Sequence, residues 1–163
     1  MELISSEELE DMEIERVDFP GDVVPDLYEI SKQLIEEVNK HNALGIAAPQ
    51  VGIPKKLAIV RFKGEEGKKD TLLPVINPLY FPKGSRAQFI EGCLSYEDEE
   101  FTIKRYKSIK ARFFAFDPEG KVIRPVEMIL SGRDALVFQH EADHCNGVTC
   151  ATKGKRRKTL EKQ

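Results

Sequence analysis

His140 and His144, two histidines four residues apart, form the pattern that points most directly to chemistry. On a helix, positions i and i+4 share a face, so both rings can turn a nitrogen toward one cation. Glu141 follows the first histidine and can serve as a proton acceptor beside the metal. This pattern predicts metal-assisted hydrolysis, although a polar surface helix could carry the same spacing. Two protein ligands are too few for a metal site, so a third must lie elsewhere in the chain.

A helix must carry these residues, and the sequence indicates where it begins and ends. Ser131 and Asp134 have the spacing of a capping box, which predicts the start. Asn146-Gly147 predicts the end. Asp143 is expected either to orient a ligand histidine or to form a plain salt bridge on the helix. One side of this helix carries Leu136, Val137, His140 and His144.

A second, amphipathic helix is predicted from Pro25 to about Asn42. Apolar residues recur in it at helical spacing, with polar residues between them. His41 falls in its last turn, where the helix dipole favours a cation, so we expect a surface role for that histidine. The apolar positions are Leu27, Ile30, Leu34 and Val38.

The sequence between the two helices predicts strands. The prolines within residues 71–81 place that segment at sheet edges or bends. The turn Asp117-Pro118-Glu119-Gly120 predicts a hairpin, and residues 63–70 read as an exposed charged loop. The strand candidates are residues 57–62, 71–76, 79–81, 87–90, 101–105, 108–117 and 121–129.

Two stretches between the helices have a composition suited to a site. In residues 44–52, small apolar residues surround one amide, Gln50. Small residues let a ligand approach the backbone, and a lone glutamine can donate a hydrogen bond into a pocket. A tight helix-to-strand connection explains the segment equally well. Cys93 lies in the second stretch, residues 91–95, and a small buried hydrophobe is the default interpretation of a free cysteine.

Composition limits the possible classes of protein. The chain has 163 residues, of which 40% are hydrophobic, and this predicts one domain, residues 1–163. Three cysteines without a secretion signal predict thiols or ligands rather than disulfides. No apolar run is long enough for a membrane span. We therefore expect a cytoplasmic protein with no membrane partner.

Charge is concentrated at the two ends of the chain. Residues 1–18 hold eight acidic residues against Arg16, and residues 153–163 hold six basic residues against Glu161. The middle is nearly balanced, which argues against sequence-specific binding of nucleic acid. Residues 1–24 are expected to form a loosely held acidic arm that reaches the domain at the turn Phe19-Pro20-Gly21-Asp22. Residues 153–163 are expected to form a flexible basic tail.

Three stretches, GIAAPQVG at 45–52, EGCLS at 91–95 and HEADHCNG at 140–147, together resemble the signature motifs of the peptide deformylase family. The resemblance extends over residues 25–150. It implies an α+β fold, with antiparallel β-sheets packed around a central helix in the C-terminal half that carries the HExxH motif, plus one N-terminal amphipathic helix. It also implies that Cys93 joins His140 and His144 as the third metal ligand, which leaves a fourth position for water.

The resemblance implies hydrolysis of the N-formyl group from formylmethionine at the start of new polypeptides, with release of formate. Glu141 would carry the proton from water to the departing amine. The Gln50 side chain and the Leu94 backbone N–H would stabilise the carbonyl oxygen as it gains charge. The implied cofactor is one divalent metal ion, with Fe²⁺ favoured and Zn²⁺, Ni²⁺ or Co²⁺ able to occupy the site.

Substrate-binding residues follow from motif position and helical spacing. The methionine side chain is expected to contact Leu44, Phe89, Leu136 and Val137. Residues 45–48, which begin with Gly45, would close the formyl end too tightly for an acetyl group. Arg133 is expected to turn to solvent at the rim.

Two departures from the family pattern concern the partners. The acidic run of residues 96–100 replaces an aliphatic-proline pair, which tilts the expected preference after methionine toward basic residues. The chain also ends 19 residues after His144, so a long C-terminal helix for ribosome docking is expected to be absent or reduced. Weak ribosome association through the basic tail remains an expectation.

Two alternatives remain. In a metalloprotease of metzincin spacing, Cys150 would be the third ligand, and Cys150→Ala rather than Cys93→Ala would abolish metal binding. The other is a catalytically inactive relative whose basic tail binds RNA.

Overall fold

The computed structural model describes residues 1–18 and 24–159. Most of its strands follow one another in the sequence, between two long helices. In chain order they are α1 (Ser6–Glu10), α2 (Val24–Lys40), β1 (Gly45–Ala47), a 3₁₀ turn (Ala48–Val51), β2 (Leu57–Phe62), β3 (Thr71–Pro82), β4 (Arg86–Cys93), β5 (Tyr96–Tyr106), β6 (Ser108–Phe116), β7 (Ile123–Ser131), α3 (Gly132–Cys145), α4 (Cys150–Lys153) and β8 (Lys155–Thr159).

Two antiparallel sheets surround the histidine-bearing helix α3. The larger has the strand order β1-β2-β3-β6-β7, and the smaller has the order β4-β5-β8. Helix α3 packs against strands of both sheets. Its apolar residues Ala135, Phe138 and Ala142 are buried in one core cluster with Val60 and Val75 of the larger sheet. The predicted α+β class, with a central helix between antiparallel sheets, is confirmed.

Helix α2 covers another part of the larger sheet with its apolar stripe. Leu34 and Val38 are fully buried, in a second core cluster with Ile46, Leu57 and Ile59. Burial of a side chain of this size contributes about 1.5–3 kcal/mol relative to exposure. The 3.6-residue period in the sequence therefore identified both the helix and its buried face.

Strand β3 differs from the prediction of short edge strands. It is one strand of 12 residues, and it lies in the middle of the larger sheet. Its pairing with β6 shifts register between Ile76 and Leu79. Asn77 lies in this shift with φ of 50°, and Pro78 follows it. The predicted bend is therefore present, but the edge position is wrong, because the irregularity accommodates a proline that regular pairing would exclude.

The N-terminal segment is packed rather than loosely held. Leu9 and Val17 are buried, and the Val17 backbone exchanges two hydrogen bonds of 2.9 Å with the Asn77 side chain. Glu15 forms an isolated parallel bridge with Lys55. Two buried apolar anchors in an otherwise acidic segment attach residues 1–18 to the body. The predicted turn at Phe19-Pro20-Gly21-Asp22 lies outside the described residues.

Residues 153–159 of the basic tail are also more ordered than predicted, because β8 pairs antiparallel with β5. Helix α3 ends as predicted at Asn146, followed by Gly147 with φ of 75°. Its predicted capping box is wrong: Ser131 Oγ donates to Ser108 Oγ at 3.1 Å, and Asp134 Oδ1 accepts from the Lys63 backbone at 2.9 Å. Across residues 1–18 and 24–159, no helix has both the length and the apolar character needed to cross a membrane.

Candidate active site

One sulfur atom and two nitrogen atoms lie close together where the end of β4 meets helix α3. His140 Nε2 lies 3.1 Å from His144 Nε2, and Cys93 Sγ lies 3.3 Å from His144 Nε2. All three candidate ligand atoms lie within 4.8 Å of one another. Around a tetrahedral cation with metal–nitrogen bonds of about 2.05 Å and metal–sulfur bonds of about 2.3 Å, these separations would be about 3.3 and 3.6 Å. The three side chains therefore fit one divalent metal ion.

Cys150 lies on the other side of the same histidine. Its Sγ is 3.5 Å from His140 Nδ1 and 3.6 Å from Glu91 Oε1. Among the described residues, the cluster that contains Cys150 consists of Glu91, His140 and Cys150, whereas the cluster that joins both histidines contains Cys93. This arrangement favours Cys93 over Cys150 as the third ligand and disfavours the metalloprotease alternative.

Glu141 is a buried carboxyl group beside the cluster. It is 4% exposed, and its Oε2 has no hydrogen-bond partner in the described part of the chain. Burial raises the pKa of Glu141 to about 7, because water no longer solvates the charged form. A nearby divalent cation would lower this pKa again. A carboxyl group that titrates near neutral pH can both accept and return a proton.

Gly45 allows β1 to lie directly against Glu141. A Cβ atom at this position would come within 2.6 Å of the Ile59 carbonyl oxygen and 2.9 Å of Glu141 Cγ. Both distances are shorter than van der Waals contact. The glycine is therefore required by the close approach of the strand to the carboxyl side chain.

The Gln50 side chain extends from the 3₁₀ turn toward the β4–β5 turn. Its Oε1 accepts from the Ala47 backbone at 2.9 Å, which fixes the amide so that Nε2 points the other way. Nε2 donates to Ser95 Oγ at 3.0 Å and lies 3.6 Å from Cys93 Sγ. Leu94 is the first residue of the β4–β5 turn and lines the same cavity. The contact of Ser95 with Gln50 was not predicted, although Ser95 is the last residue of the EGCLS motif.

A buried carboxylate, Glu91, holds the outer nitrogen of His140. Glu91 Oε1 lies 2.9 Å from His140 Nδ1, and a carboxylate can only accept, so Nδ1 carries the proton and Nε2 presents its lone pair to the cluster. Burial raises the pKa of Glu91, but the hydrogen bonds from Arg105 and His140 outweigh it and lower that pKa to about 2. Glu91 is therefore ionised and fixes the tautomer of His140.

Arg105 connects Glu91 to helix α3. It is 2% exposed, and it donates to both oxygens of Glu91, from Nε at 2.8 Å and from Nη2 at 2.9 Å. Its Nη1 donates to Asp143, which also accepts from Tyr80 OH at 2.7 Å and from Lys153 Nζ at 3.0 Å. The Asp143 carboxylate thus has no hydrogen bond to His140 or His144, and it is more than a helix salt bridge, because it fixes Arg105.

The sequence analysis assigned no role to Glu91 or Arg105. A signal for Arg105 was available, since Phe101, Ile103 and Arg105 occupy alternate positions of one strand and are all buried. A charged residue at an inward-facing position of an alternating strand indicates a buried ion pair.

A cavity of about 850 Å³ opens beside these residues. Four of the five predicted substrate-binding residues, Leu44, Gly45, Leu136 and Val137, line it. The fifth, Phe89, is not among the described lining residues, whereas its neighbour Ile90 is. Ile90 is 55% exposed, and as the next residue along β4 it points to the opposite face from Phe89.

Two charged residues of the cavity wall, Arg133 and Glu99, are held by partners from other elements. Arg133 lines the cavity as predicted for the rim, but it does not turn freely to solvent, because its Nη2 donates to Asp70 Oδ2 at 2.9 Å. Glu99 also lines it and accepts from Arg156 of β8 at 2.8 Å. The acidic run and the basic tail, which the sequence analysis treated separately, therefore pair with each other.

Comparisons with known proteins identify the family of this chain. The profile of the polypeptide deformylase family matches residues 9–160. The peptide deformylase of Nautilia profundicola is 38% identical over 125 residues, covering 75% of this chain and 68% of the relative. That of Aquifex aeolicus is 31% identical over 134 residues, covering 80% and 76%.

Solved structures show the same fold. A probable peptide deformylase from Synechococcus phage S-SSM7 superposes with a TM-score of 0.79 at 29% identity, covering 93% of this chain and 97% of the phage chain. A peptide deformylase from Synechococcus elongatus, solved with actinonin, gives a TM-score of 0.78 at 27% identity, covering 95% and 80%. With its three motifs assembled around one cavity, the chain belongs to the polypeptide deformylase family of metal-dependent hydrolases, which remove the N-formyl group from newly made polypeptides.

Proposed function

We propose that this chain performs the deformylase reaction with Glu141 as the proton carrier and with Cys93, His140 and His144 as the metal ligands. The observation that carries the proposal is the convergence of the three ligand atoms beside a buried carboxyl oxygen with no partner among the described residues. A thiolate and two neutral imidazoles leave a divalent ion with net positive charge. When bound, that ion supplies an acidified water and polarises the formyl oxygen.

The protein's own residues then move the proton and hold the developing charge. Glu141 accepts the proton of the attacking water and returns it to the departing amine nitrogen. The Gln50 amide and the Leu94 backbone N–H donate to the carbonyl oxygen as it becomes negative. Loss of one such donor in other hydrolases lowers the rate by about 10²- to 10³-fold. Glu91 keeps His140 in the tautomer whose Nε2 can ligate.

The metal is proposed to be Fe²⁺, with Zn²⁺, Ni²⁺ and Co²⁺ as alternatives that the same three ligands accept. Thiolate and imidazole suit all four, so the ligand set does not select one of them by geometry alone.

Methionine is proposed to bind in the apolar part of the cavity. Leu44, Leu136 and Val137 line it together with Ile90. Gly45 would hold β1 close to the formyl group, so that the additional methyl of an acetyl group would collide with the backbone. This is discrimination by steric exclusion rather than by an additional attractive contact.

The decisive experiment is anaerobic purification with metal analysis, followed by measurement of formate release from formyl-Met peptides. Cys93→Ala is expected to lose both the metal and formate release. Cys150→Ala, the matched control, is expected to retain the metal. The opposite result for the two cysteines would overturn the ligand assignment and favour the metalloprotease alternative.

The cellular partners follow from the reaction. Nascent formylmethionyl chains are the proposed substrates, and the cytoplasm of a bacterium or of a phage-infected host is the proposed location. Weak ribosome association is proposed for the basic residues of the tail that do not pair with the acidic run, such as the exposed Lys155. Removal of residues 155–163 should abolish any salt-sensitive binding to ribosomes, and unchanged binding would exclude this contact.

A further inference from the structure

The acidic run that follows the Cys93 hairpin forms the outer wall of the cavity. Glu97, Asp98 and Glu99 all line it. Cys93 pairs with Tyr96 across the hairpin, so Glu97 lies one residue beyond the position opposite the candidate metal ligand. An extended peptide spans at most about 3.3–3.6 Å per residue. A peptide whose first residue is held at Cys93 therefore brings its second and third residues within reach of these carboxylates.

Glu141 marks the same cavity as a ligand site independently of the acidic run. It lines the cavity, is 4% exposed, and has an oxygen without a hydrogen-bond partner among the described residues. Leaving a buried acceptor unsatisfied costs about 1–3 kcal/mol, which a bound molecule can offset. The volume of about 850 Å³ is in the upper part of the range of about 300–1,000 Å³ that holds drug-sized ligands. The cavity can therefore hold residues beyond one formylmethionine.

Most charged groups on the wall are already compensated. Glu91 is paired with Arg105, Glu99 with Arg156, and Arg133 with Asp70. His41 also lines the cavity, and its Nε2 lies 3.4 Å from Glu37. Glu97 differs, because it is exposed and no ion pair joins it to any residue in ranges 1–18 and 24–157. Its negative charge is therefore available to a substrate.

Resting on the proposed deformylase function, we infer that Glu97 is a specificity-determining residue that favours substrates with Lys or Arg in the first position after formylmethionine. A basic side chain there would pair with Glu97 at the mouth of the cavity. An acidic side chain would be repelled by Glu97. Solvent reaches this carboxylate, so the effect is modest and weakens with salt.

The test measures kcat/KM for formate release from three tripeptides, formyl-Met-Lys-Ser, formyl-Met-Gln-Ser and formyl-Met-Glu-Ser, by the metal-loaded enzyme. We expect the Lys peptide to exceed the Gln peptide by roughly two- to fivefold, and the Gln peptide to exceed the Glu peptide by a similar factor. Glu97→Gln should remove most of this preference, and Glu97→Lys should reverse it.

Glu13→Gln is the matched control, because it removes the same charge from an exposed carboxylate that does not line the cavity. It should keep the full preference of the wild type. Equal rates for the three peptides, or a Lys preference that survives in Glu97→Gln, would overturn the inference. Absence of formate from every peptide would overturn the proposed function instead, so the two failures are distinguishable. A urea denaturation midpoint equal to that of the wild type shows that the Glu97→Gln variant is folded.

Discussion

Two groups of arginine–carboxylate contacts in this molecule have similar distances and very different surroundings. Arg105, behind the candidate metal site, is 2% exposed and contacts Glu91 at 2.8 Å. Arg156, on the outer strand β8, contacts Glu99 at the same 2.8 Å, but more than half of its side chain is exposed. Distance alone therefore says little about what a contact contributes. The surrounding medium decides whether loss of one partner changes the free energy of unfolding by a large or a small amount.

The largely buried residues His140, Glu91, Arg105 and Asp143 form an inner group, in which each charge is stabilised by the next. His140 relies on Glu91, Glu91 on Arg105, and Arg105 on Asp143. No water can replace a missing member at low cost in this buried position. In the outer group, which consists of Arg156 and Glu99, water and salt ions can replace either partner. We therefore expect large, coupled effects from substitutions inside and small, separable effects outside.

The largest effect is expected from Glu141→Gln, which preserves size but removes the ability to carry a proton. Formate release should fall by about 10²- to 10⁴-fold, because general acid–base catalysis typically contributes this much. Metal content should stay unchanged, since the candidate ligands remain in place. Steady-state kinetics and metal analysis on the same sample check both points. A surface substitution changes the rate by roughly threefold at most. A rate for Glu141→Gln within that limit would mean that Glu141 does not carry the proton.

The buried arginine gives the sharpest test of the comparison. Arg105→Met should lower the free energy of unfolding by about 3–5 kcal/mol, because two buried carboxylates, Glu91 and Asp143, lose their cation. Urea denaturation measures the change. The matched control is Arg112→Met, since Arg112 contacts Glu127 at 2.7 Å in an exposed pair. That variant should lose about 0–1 kcal/mol. Equal losses in both variants would refute the distinction between the two groups.

The smallest effect is expected from Arg156→Ala. Its pair with Glu99 is exposed, so the free energy of unfolding should change by about 0–1 kcal/mol at low salt. In 1 M NaCl, where the screening length is about 3 Å, the electrostatic part of this difference should nearly vanish. Denaturation at the two salt concentrations provides the measurement. A loss of several kcal/mol would show that the exposed pair stabilises the fold as much as the buried pairs behind the candidate metal site.

Much of the site could be predicted from sequence because the relevant residues lie in short local patterns. The spacing of His140 and His144 places them on one helix face whatever the rest of the chain does. The period of Leu27, Leu34 and Val38 defined the buried stripe of α2, and the structure confirms it. The turn residues at 117–120 likewise predicted a hairpin, and the structure confirms it as the pair β6–β7. Each of these depends on interactions within a few residues.

The errors concern residues whose role depends on distant partners. Ser131 and Asp134 have the spacing of a capping box, but Ser108 and Lys63 provide competing hydrogen bonds from other strands. Residues 1–18 look like a solvated arm, yet Asn77, 60 positions away from Val17, fixes the segment. Phe89 was assigned to the pocket by motif position, whereas Ile90 lines it. No local pattern contains this information.

By itself, the sequence determined the fold class, the helix with its two histidines and the family to which the chain belongs. Only the tertiary structure decided which cysteine faces both imidazoles, how Arg105 connects Glu91 to Asp143, and that Glu97 of the wall has no ion pair with residues 1–18 or 24–157. The physical reason is that helical periodicity and turn chemistry act over a few residues. Ligand geometry, burial of charge and ion pairing instead depend on atoms that only the folded chain brings together.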